Sequence, residues 1–506
     1  MSRIVNDRLN TEKTCSREHG VLIASWVLRA IALCCVLASF ASSAQSADLR
    51  QVATELAAKY TADLEALAAW CDEQGLSAQA AATRARAKPT DPNVIRVLAL
   101  PVRKGEASAL PTGASKDVAE WHGRLWRLRQ EHAKTCFELA RKAIHAGQAS
   151  LAFDLVHVAI AEDPDHEAAR RLWGYQDFRG EWHTPYEIAK LRTGHVWDDR
   201  FGWIRKAELP RYEKGERLYR GRWISAEEDA RLHRNIRNGW DIETEHYLIR
   251  TSHSIEAGVR LGKKLEELYG AWRQLFVRYY ATQQQVESMF NRRAQRVRLP
   301  RHHVVYFRDR QQYNRDLGDA MPNIEKSVGV YIGNMRRAYF FGGRDYDERT
   351  LLHEATHQLF HESRPVARGV GESANCWIIE GIAVFMESLR KEGDYYVLGG
   401  FDDSRMKAAR YRLLVSKFYV PFEELTRYGL PQLQNDPKVA TLYSQIAGWT
   451  QFLIYYDQGR YRDALVSYLM AVYNGSQDPT LLSRLTGTSY DELDRQYREY
   501  MTKRKP

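Results

Sequence analysis

The residues with the clearest chemical potential form the run HEATH, from His353 to His357. Side chains four positions apart lie on one face of an α-helix, so both imidazoles can reach a single metal ion. Glu354 then lies beside the metal, where its carboxylate can take a proton from an attacking water molecule. Apolar residues flank the run and no Pro or Gly interrupts residues 350–363, which predicts a buried helix.

A second pattern follows in the segment WIIEGIAVFME, from Trp377 to Glu387. The two patterns together resemble the gluzincins, which are zinc peptidases with a glutamate ligand on a second helix. The closest likeness is to the gluzincin aminopeptidases and the peptidase-MA-like group. Glu380 comes 23 residues after His357, slightly more than is usual in that family. By this resemblance His353, His357 and Glu380 bind one Zn²⁺ ion, Glu354 is the general base, and the reaction is hydrolysis of peptide bonds.

Catalysis at such a site also needs a donor for the developing oxyanion. In the gluzincin aminopeptidases a tyrosine about sixty residues beyond the glutamate ligand has this role, and Tyr443 lies 63 residues beyond Glu380. The resemblance therefore predicts Tyr443, with Tyr455 and Tyr456 as competing positions. Two interpretations of Glu387 stay open, because it can orient a ligand from behind or be an ordinary helix carboxylate.

Two nearby residues need separate interpretation. His361 lies four residues after His357, but the metzincin spacing places its third histidine six residues on, after a glycine. We expect His361 to cap the end of the helix instead. Glu372 lies in the glycine-rich stretch GVGES, which predicts a loop.

The sequence departs from the aminopeptidases at the motif G-x-M-E-N, which holds the free amine of their substrates. The corresponding segment, from Ile332 to Arg337, reads IGNMRR and lacks the acidic residue. We therefore expect an endopeptidase. Arg336 and Arg337 favour acidic substrate groups, and a strand from Arg337 to Phe341 is expected to offer its edge to an extended peptide.

The elements that must position these residues begin near residue 242. Alternating or apolar runs predict strands at 242–252 and 302–307, and a pair of strands within 327–341 around a turn at Gly333-Asn334. A helix is predicted from Ser254 to about Phe276, and the chain beyond Phe341 is predicted to be helical. Gly381 and Ala383 are small enough to let the second metal-binding helix approach the first closely.

The N-terminal half is predicted to be helical, with helices at 49–70, 117–146 and 149–162 and a proline-rich loop at 88–115. Residues 143–170 resemble one tetratricopeptide-type hairpin, although a generic helical pair fits equally well. The pattern G-x-W-x-[ST]-x-x-E occurs twice, from Gly180 and from Gly221. Its Thr184/Glu187 and Ser225/Glu228 pairs have the spacing of a capping box, so each copy is predicted to begin a helix.

The predicted fold class is therefore α+β and mostly helical. We divide the chain into a signal peptide (1–44), a helical region with the tetratricopeptide-like hairpin (45–175), a small tryptophan-containing region (176–240) and a zincin-like metallopeptidase domain (241–506). The last of these would combine a small sheet with a pair of active-site helices.

Composition limits the function classes. The chain has 506 residues, a formal charge of +10 and 44% hydrophobic residues, which excludes whole-chain disorder, a collagen repeat and a multi-span membrane protein. The apolar run from Ala30 to Phe40 is too short to span a bilayer and is typical of a signal peptide, with cleavage predicted after Ala44. The mature protein is then periplasmic or extracellular, without a transmembrane anchor.

A polypeptide is the expected substrate, and the helical half is a candidate dock for a protein partner. A basic run at 292–309 is expected to be a solvated surface, and we expect no nucleic-acid partner. The alternative function is a non-catalytic binding or scaffold protein with a zincin fold. The intact Glu354 favours the enzyme, because a scaffold does not need that carboxylate.

Overall fold

The computed structural model describes residues 49–502, apart from 89–90, 100–104, 106–108, 111, 292–296, 298, 345 and 394. The predicted signal peptide and its cleavage position lie outside the described residues. The described chain is mostly helical with several small sheets, which confirms the α+β prediction. No helix within it combines the length and the apolar composition needed to cross a membrane.

The first part of the chain consists of helices and one strand. Its elements are α1 (49–73), α2 (Ser77–Ala87), β1 (Val94–Leu98), α3 (Lys116–His145), α4 (Ala149–Glu162) and α5 (Glu167–Leu172). The helices predicted at 49–70, 117–146 and 149–162 are thereby confirmed. The hydroxyl of Ser115 caps α3, and Gly147 allows the tight turn into α4 because its φ is 77°.

The predicted loop at 88–115 is wrong in part, because it contains β1. This strand pairs antiparallel with β14 (Tyr395–Gly399), in a sheet completed by β13 (Arg390–Glu392). β13 and β14 also correct the prediction that the chain is helical beyond Phe341. Since β1 and β14 lie about 300 residues apart in sequence, their pairing connects the first helices to the C-terminal part.

Residues 176–232 form three units, each a two-stranded hairpin followed by a short helix. They are β2 (Gln176–Phe178), β3 (Glu181–His183) and α6 (Pro185–Arg192); β4 (His195–Asp198), β5 (Gly202–Arg205) and α7 (Leu209–Glu213); and β6 (Glu216–Tyr219), β7 (Arg222–Ser225) and α8 (Ala226–Leu232). Thr184 and Ser225 cap α6 and α8, which confirms both predicted helix starts. The middle unit was not predicted, because Trp203 follows Gly202 directly. Its sequence therefore does not match the spacing G-x-W of the other two units.

A five-stranded sheet lies at the centre of the C-terminal part. Its strands are β8 (Trp240–Glu243), β9 (Tyr247–Thr251), β10 (His302–Phe307), β11 (Val330–Ile332) and β12 (Arg337–Phe341), in the order β11-β12-β10-β9-β8. The strand at 302–307 and the hairpin within 327–341 are confirmed. The single strand predicted at 242–252 is wrong, because it is two strands joined by a turn at 244–246. The expected edge at β12 is also wrong, since β12 pairs on both sides and β11 forms that edge.

Helices cover this sheet and extend from it. They are α9 (Ile255–Leu275), α10 (Val277–Tyr280), α11 (Gln283–Met289), α12 (Arg310–Leu317), α13 (Glu348–Glu362), α14 (Cys376–Met386), α15 (Ser404–Leu414), α16 (Phe422–Leu425), α17 (Leu430–Asn435), α18 (Val439–Gly459), α19 (Arg462–Tyr473), α20 (Leu481–Thr486) and α21 (Tyr490–Thr502). α9 begins at its Ser254 cap and ends within one residue of the prediction. Its buried face includes Leu261, Leu265 and Trp272, as the three- and four-residue spacing predicted.

One large hydrophobic core joins the sheet to α9, α13, α14 and α18. A second core joins α3, α4 and α5 to α10 and α11, so the N-terminal helices pack directly on residues 277–290. Arg462, the first residue of α19, joins that helix to α4 through an ion pair with Asp154, in which Nη1 and Oδ2 are 2.8 Å apart. The helical half therefore contacts the elements that support the candidate site.

Candidate metal centre

α13 presents two imidazoles on one face. Asp347 caps its first turn by accepting from the backbone N–H groups of Arg349 and Thr350, which fixes where the helix begins. Leu352 and Leu359 are buried against the core on the opposite side. The helical period then places Nε2 of His353 and Nε2 of His357 only 3.1 Å apart, as the HExxH spacing predicted.

Glu380 reaches the same point from α14. Its Oε2 lies 3.4 Å from Nε2 of His353, and its Oε1 lies 3.9 Å from Nε2 of His357. One ligand atom from each of the three side chains lies within 4.8 Å of the others. The structure therefore brings together the three residues that the resemblance to gluzincins nominated as ligands.

This donor set fits a zinc ion. Nitrogen and oxygen ligands about 2.1 Å from a tetrahedral zinc lie about 3.4 Å from one another. The separations among His353, His357 and Glu380 lie on both sides of that value. Two imidazoles and one carboxylate also match the ligand types of catalytic zinc sites, which keep a fourth position open.

Gly381 allows α14 to approach a helix other than the one expected. A Cβ at this position would lie 2.4 Å from Oγ1 of Thr450 and 2.9 Å from Cγ2 of Ile446, both on α18. The prediction that Gly381 permits the contact with α13 is therefore wrong. The absence of a side chain at Gly381 instead lets α18 pack directly against α14, next to Glu380.

Glu387 stands behind His353. Its Oε1 lies 2.9 Å from Nδ1 of His353, and Arg405 donates two hydrogen bonds to the same carboxylate, at 2.9 and 3.1 Å. A carboxylate on the outer nitrogen of a ligand histidine fixes the tautomer and the orientation of the ring. Of the two interpretations left open for Glu387, the contact favours the orienting role.

Glu354 occupies a different position from the three ligand residues. Its Oε2 accepts a hydrogen bond of 2.9 Å from the backbone N–H of Tyr331, on the edge strand β11. Burial raises the pKa of Glu354 to about 7. Together with His353 and Thr350 it lines a cleft of about 510 Å³.

The charges of the cluster are strongly coupled. Burial disfavours a charged His353, but hydrogen bonds with Glu380 and Glu387 outweigh burial and raise its pKa to about 10. Burial lowers the pKa of His357 to about 4. Burial would raise the pKa of Glu380, but the hydrogen bond with His353 and the charges of both histidines lower it to about 2. Near neutral pH the negative charge of Glu380 is thus stabilised chiefly by the cationic His353, which suits a metal ligand.

Tyr443 is the only one of the three tyrosines considered above that contacts the cluster. Its hydroxyl donates a 2.9 Å hydrogen bond to Oε2 of Glu380. Tyr455 instead donates to the carbonyl of Leu398, and Tyr456 stacks on Tyr461. Burial and the nearby Glu380 carboxylate raise the pKa of Tyr443, so its phenol keeps its proton near neutral pH.

The two other residues weighed in the sequence do not join the cluster. Nδ1 of His361 lies 2.9 Å from the hydroxyl of Tyr331. Glu372 is exposed in the loop before α14, as predicted. Arg336 donates to the backbone carbonyl of Glu362 at 3.4 Å, so its guanidinium is held against the end of α13.

Sequence reasoning missed Tyr331 and Arg405. Tyr331 holds Glu354 through its backbone N–H, a role that any residue type except proline can fill at this position, so no motif marks it. Arg405 lies 18 residues beyond Glu387 on another helix, and only the folded chain brings the two side chains together. A comparison with protein-family models and a search of curated proteins both find no match for this chain.

Proposed function

We propose that this protein is an exported zinc metallopeptidase of the gluzincin type. In this proposal residues 241–506 are a zincin-like catalytic domain, and residues 45–175 are a tetratricopeptide-like region that docks a protein partner. The observation that carries the proposal is the convergence of His353, His357 and Glu380, with the Glu354 carboxylate beside them. The mature enzyme would act in the periplasm or outside the cell.

Zinc, when bound by the three ligands, supplies Lewis acidity that polarises the scissile carbonyl and the attacking water. Glu354 takes the proton from that water as it attacks, and then delivers the proton to the leaving amine nitrogen. A pKa of about 7 suits both steps, because the group exchanges its proton readily near neutral pH. The hydrogen bond from the Tyr331 N–H keeps the carboxylate in one position during both transfers.

Tyr443 stabilises the oxyanion in this mechanism. Its hydroxyl lies beside Glu380, and the raised pKa keeps it available as a hydrogen-bond donor. In the proposed reaction the hydroxyl turns from Glu380 to the oxyanion and donates a hydrogen bond to it. A donor placed there acts on the charge that develops in the transition state.

A polypeptide is the substrate that the cleft supports best. The edge strand β11 runs beside Glu354 and can align an extended peptide along the sheet through backbone groups other than the Tyr331 N–H, which Glu354 holds. The corresponding hairpin turn carries Arg336 in place of the acidic residue that holds a free amine in aminopeptidases. Cleavage within a chain is therefore favoured over removal of its first residue.

The test compares three forms of the purified protein: wild type, Glu354→Gln and Glu372→Gln. Glu372 is the matched control, because it is an exposed carboxylate in the loop before α14. We expect one zinc per chain in all three, and cleavage of an unfolded protein by wild type and Glu372→Gln only. Zinc binding without cleavage in wild type would favour the scaffold alternative, and absence of zinc would contradict the metallopeptidase and any scaffold that binds the metal.

A second measurement distinguishes the mode of cleavage. Peptides of one sequence are offered with free and with acetylated N-termini. Equal cleavage of the two forms is expected for an endopeptidase. Cleavage restricted to the free form would identify an aminopeptidase that binds the amine through other residues.

A further inference from the structure

A second cavity, of about 660 Å³, lies where the hairpin units meet α9. It shares no lining residue with the cleft at Glu354. Its volume is within the range of small-molecule sites, which is about 300–1,000 Å³. Seven tryptophan and tyrosine side chains contribute to its wall: Trp173, Tyr175, Tyr186, Trp197, Trp203, Tyr269 and Tyr396.

Most of the charged groups that line this cavity already have a partner. Glu266 contacts the ring and the backbone N–H of His246, both at 2.7 Å. Asp199 forms an ion pair with Lys263 at 3.1 Å. These groups are satisfied by the protein itself and do not call for a ligand.

Arg273 and Glu245 differ from them. Both are half-buried and line the cavity, and within the part of the chain that the structure describes neither side chain forms an ion pair. Glu245 accepts one hydrogen bond of 2.8 Å, from the neutral hydroxyl of Thr184. Since no protein group forms an ion pair with either side chain within the described residues, a ligand that supplies the opposite charges can pair with both.

The two charges lie within electrostatic range of each other. Burial disfavours the charge on Arg273, but the phenols of Tyr280 and Tyr269 and the carboxylate of Glu245 together raise its pKa. Burial raises the pKa of Tyr175. The Glu245 carboxylate raises this pKa further and the Arg273 guanidinium lowers it, so both charges act on the same phenol. Arg273 and Glu245 therefore place opposite charges on the wall of one cavity without forming an ion pair with each other.

We propose that this cavity binds a small zwitterion, an α-amino acid or a short peptide with free ends. Arg273 would bind the carboxylate through two parallel hydrogen bonds, and Glu245 would accept from the ammonium group. The aromatic wall would surround the side chain, where offset stacking and burial favour an apolar or aromatic residue. The proposal does not depend on the proposed peptidase function, although hydrolysis of polypeptides would produce ligands of this class.

The probes are phenylalanine, leucine and lysine, each as the free amino acid, the N-acetyl derivative and the amide. Binding is measured by ligand-observed NMR on the full chain carrying Glu354→Gln, so that no hydrolysis can consume a peptide. We expect at least one free amino acid to bind with a Kd below about 10 mM and about tenfold more tightly than its two blocked forms. The dipeptide Ala-Phe, compared with phenylalanine, shows whether the site prefers an amino acid or a peptide.

Two variants assign the two ends of the ligand. Arg273→Gln should weaken the free and N-acetyl forms about tenfold and leave the amide unchanged. Glu245→Gln should weaken binding of the free and amide forms, which carry an ammonium group. Binding of the N-acetyl form should be unchanged, because it has no ammonium group and Gln still accepts the hydrogen bond from Thr184. Arg260→Gln, exposed on the same helix α9, and Glu181→Gln, exposed on β3, should change nothing.

Arg273→Lys keeps the positive charge and should retain part of the affinity. This variant replaces Arg273→Gln in the comparison if the Gln variant is poorly folded. Circular dichroism and the Tm of each variant establish that it is folded. The proposal is overturned if no free amino acid binds below about 10 mM. It is equally overturned if the blocked forms bind as tightly as the free ones, or if the folded Arg273 and Glu245 variants bind like wild type.

Discussion

Oε1 of Glu387 lies 2.9 Å from Nδ1 of His353, and this contact joins the two helices of the candidate metal centre from behind the proposed ligands. Glu380 and Glu387 both lie on the α14 side, seven residues apart, so one helix carries a proposed ligand and the group that orients another. Arg405 fixes the far side of the carboxylate with two hydrogen bonds. The ring of His353 is therefore held before any metal arrives.

The first prediction follows from this contact. Glu387→Gln removes the charge that fixes His353 and leaves the Arg405 guanidinium without its counter-charge. We expect the affinity for zinc to fall about 10- to 100-fold, as is typical when the partner of a ligand histidine is lost. Competition with a chromogenic chelator measures the change.

The control for that experiment is Glu392→Gln, which alters an exposed carboxylate on β13. It should leave the zinc affinity unchanged. An unchanged affinity in Glu387→Gln as well would mean that the contact with His353 is structural only.

The second prediction concerns the Tyr443 hydroxyl, which lies 2.9 Å from Glu380. Tyr443→Phe should lower kcat about 10²- to 10³-fold, which is typical for loss of one oxyanion donor. The zinc content should stay at one ion per chain, because Tyr443 is not one of the ligands. Steady-state kinetics and metal analysis of the same preparation measure both quantities.

Tyr456→Phe is the matched variant, since Tyr456 packs on Phe452 and Tyr461 away from the cluster. Its kcat should equal that of wild type. If Tyr443→Phe loses zinc and activity together, the hydroxyl would act by positioning Glu380 and another group would bind the oxyanion.

The structure makes clear why the convergence of the candidate ligands could be predicted while part of the fold could not. His353, Glu354 and His357 lie within one helix, so their geometry follows from the helical period alone. Glu380 required a family resemblance, because nothing local places α14 against α13. Arg405 required the folded chain itself, since its partner lies on another element.

The errors in the fold have similar causes. β1 is a strand only because β14 pairs with it, and its own surroundings are rich in proline and suggest a loop. At 242–252 the alternation of side chains continues through the turn at 244–246, so the pattern cannot separate β8 from β9. Long-range pairing decides both cases, and a single sequence does not encode it in any short pattern.

The third prediction is a dependence on pH of the protein stripped of zinc by a chelator. The pKa of His353 is raised from 6.5 to about 10 in the folded chain, so the proton contributes stability that is fully present below pH 6.5. This contribution is lost as the pH rises through about 10. Zinc replaces the proton, so we expect the affinity for zinc to increase over the same range.

The comparison runs from pH 8 to 10, where Glu354, with a pKa of about 7, is largely ionised. Urea unfolding of the stripped wild type should become easier with rising pH, and His353→Gln should show a smaller change. Identical slopes for the two proteins would mean that His353 does not hold a proton in the folded state.

The last prediction tests the close packing of α14 on α18. A Cβ added to Gly381 would lie 2.4 Å from Oγ1 of Thr450, and both positions are buried. Gly381→Ala should therefore lower the free energy of unfolding by about 1–3 kcal/mol through overpacking. The shift of α14 should also weaken zinc binding, because Glu380 precedes the substituted residue.

Gly123→Ala is the control: Gly123 is exposed within α3, and a Cβ there meets nothing within 4 Å. That substitution should raise the stability by about 0.5–1 kcal/mol, since alanine restricts the unfolded chain. If both variants gain stability and bind zinc like wild type, the contact between Gly381 and α18 does not limit the position of Glu380.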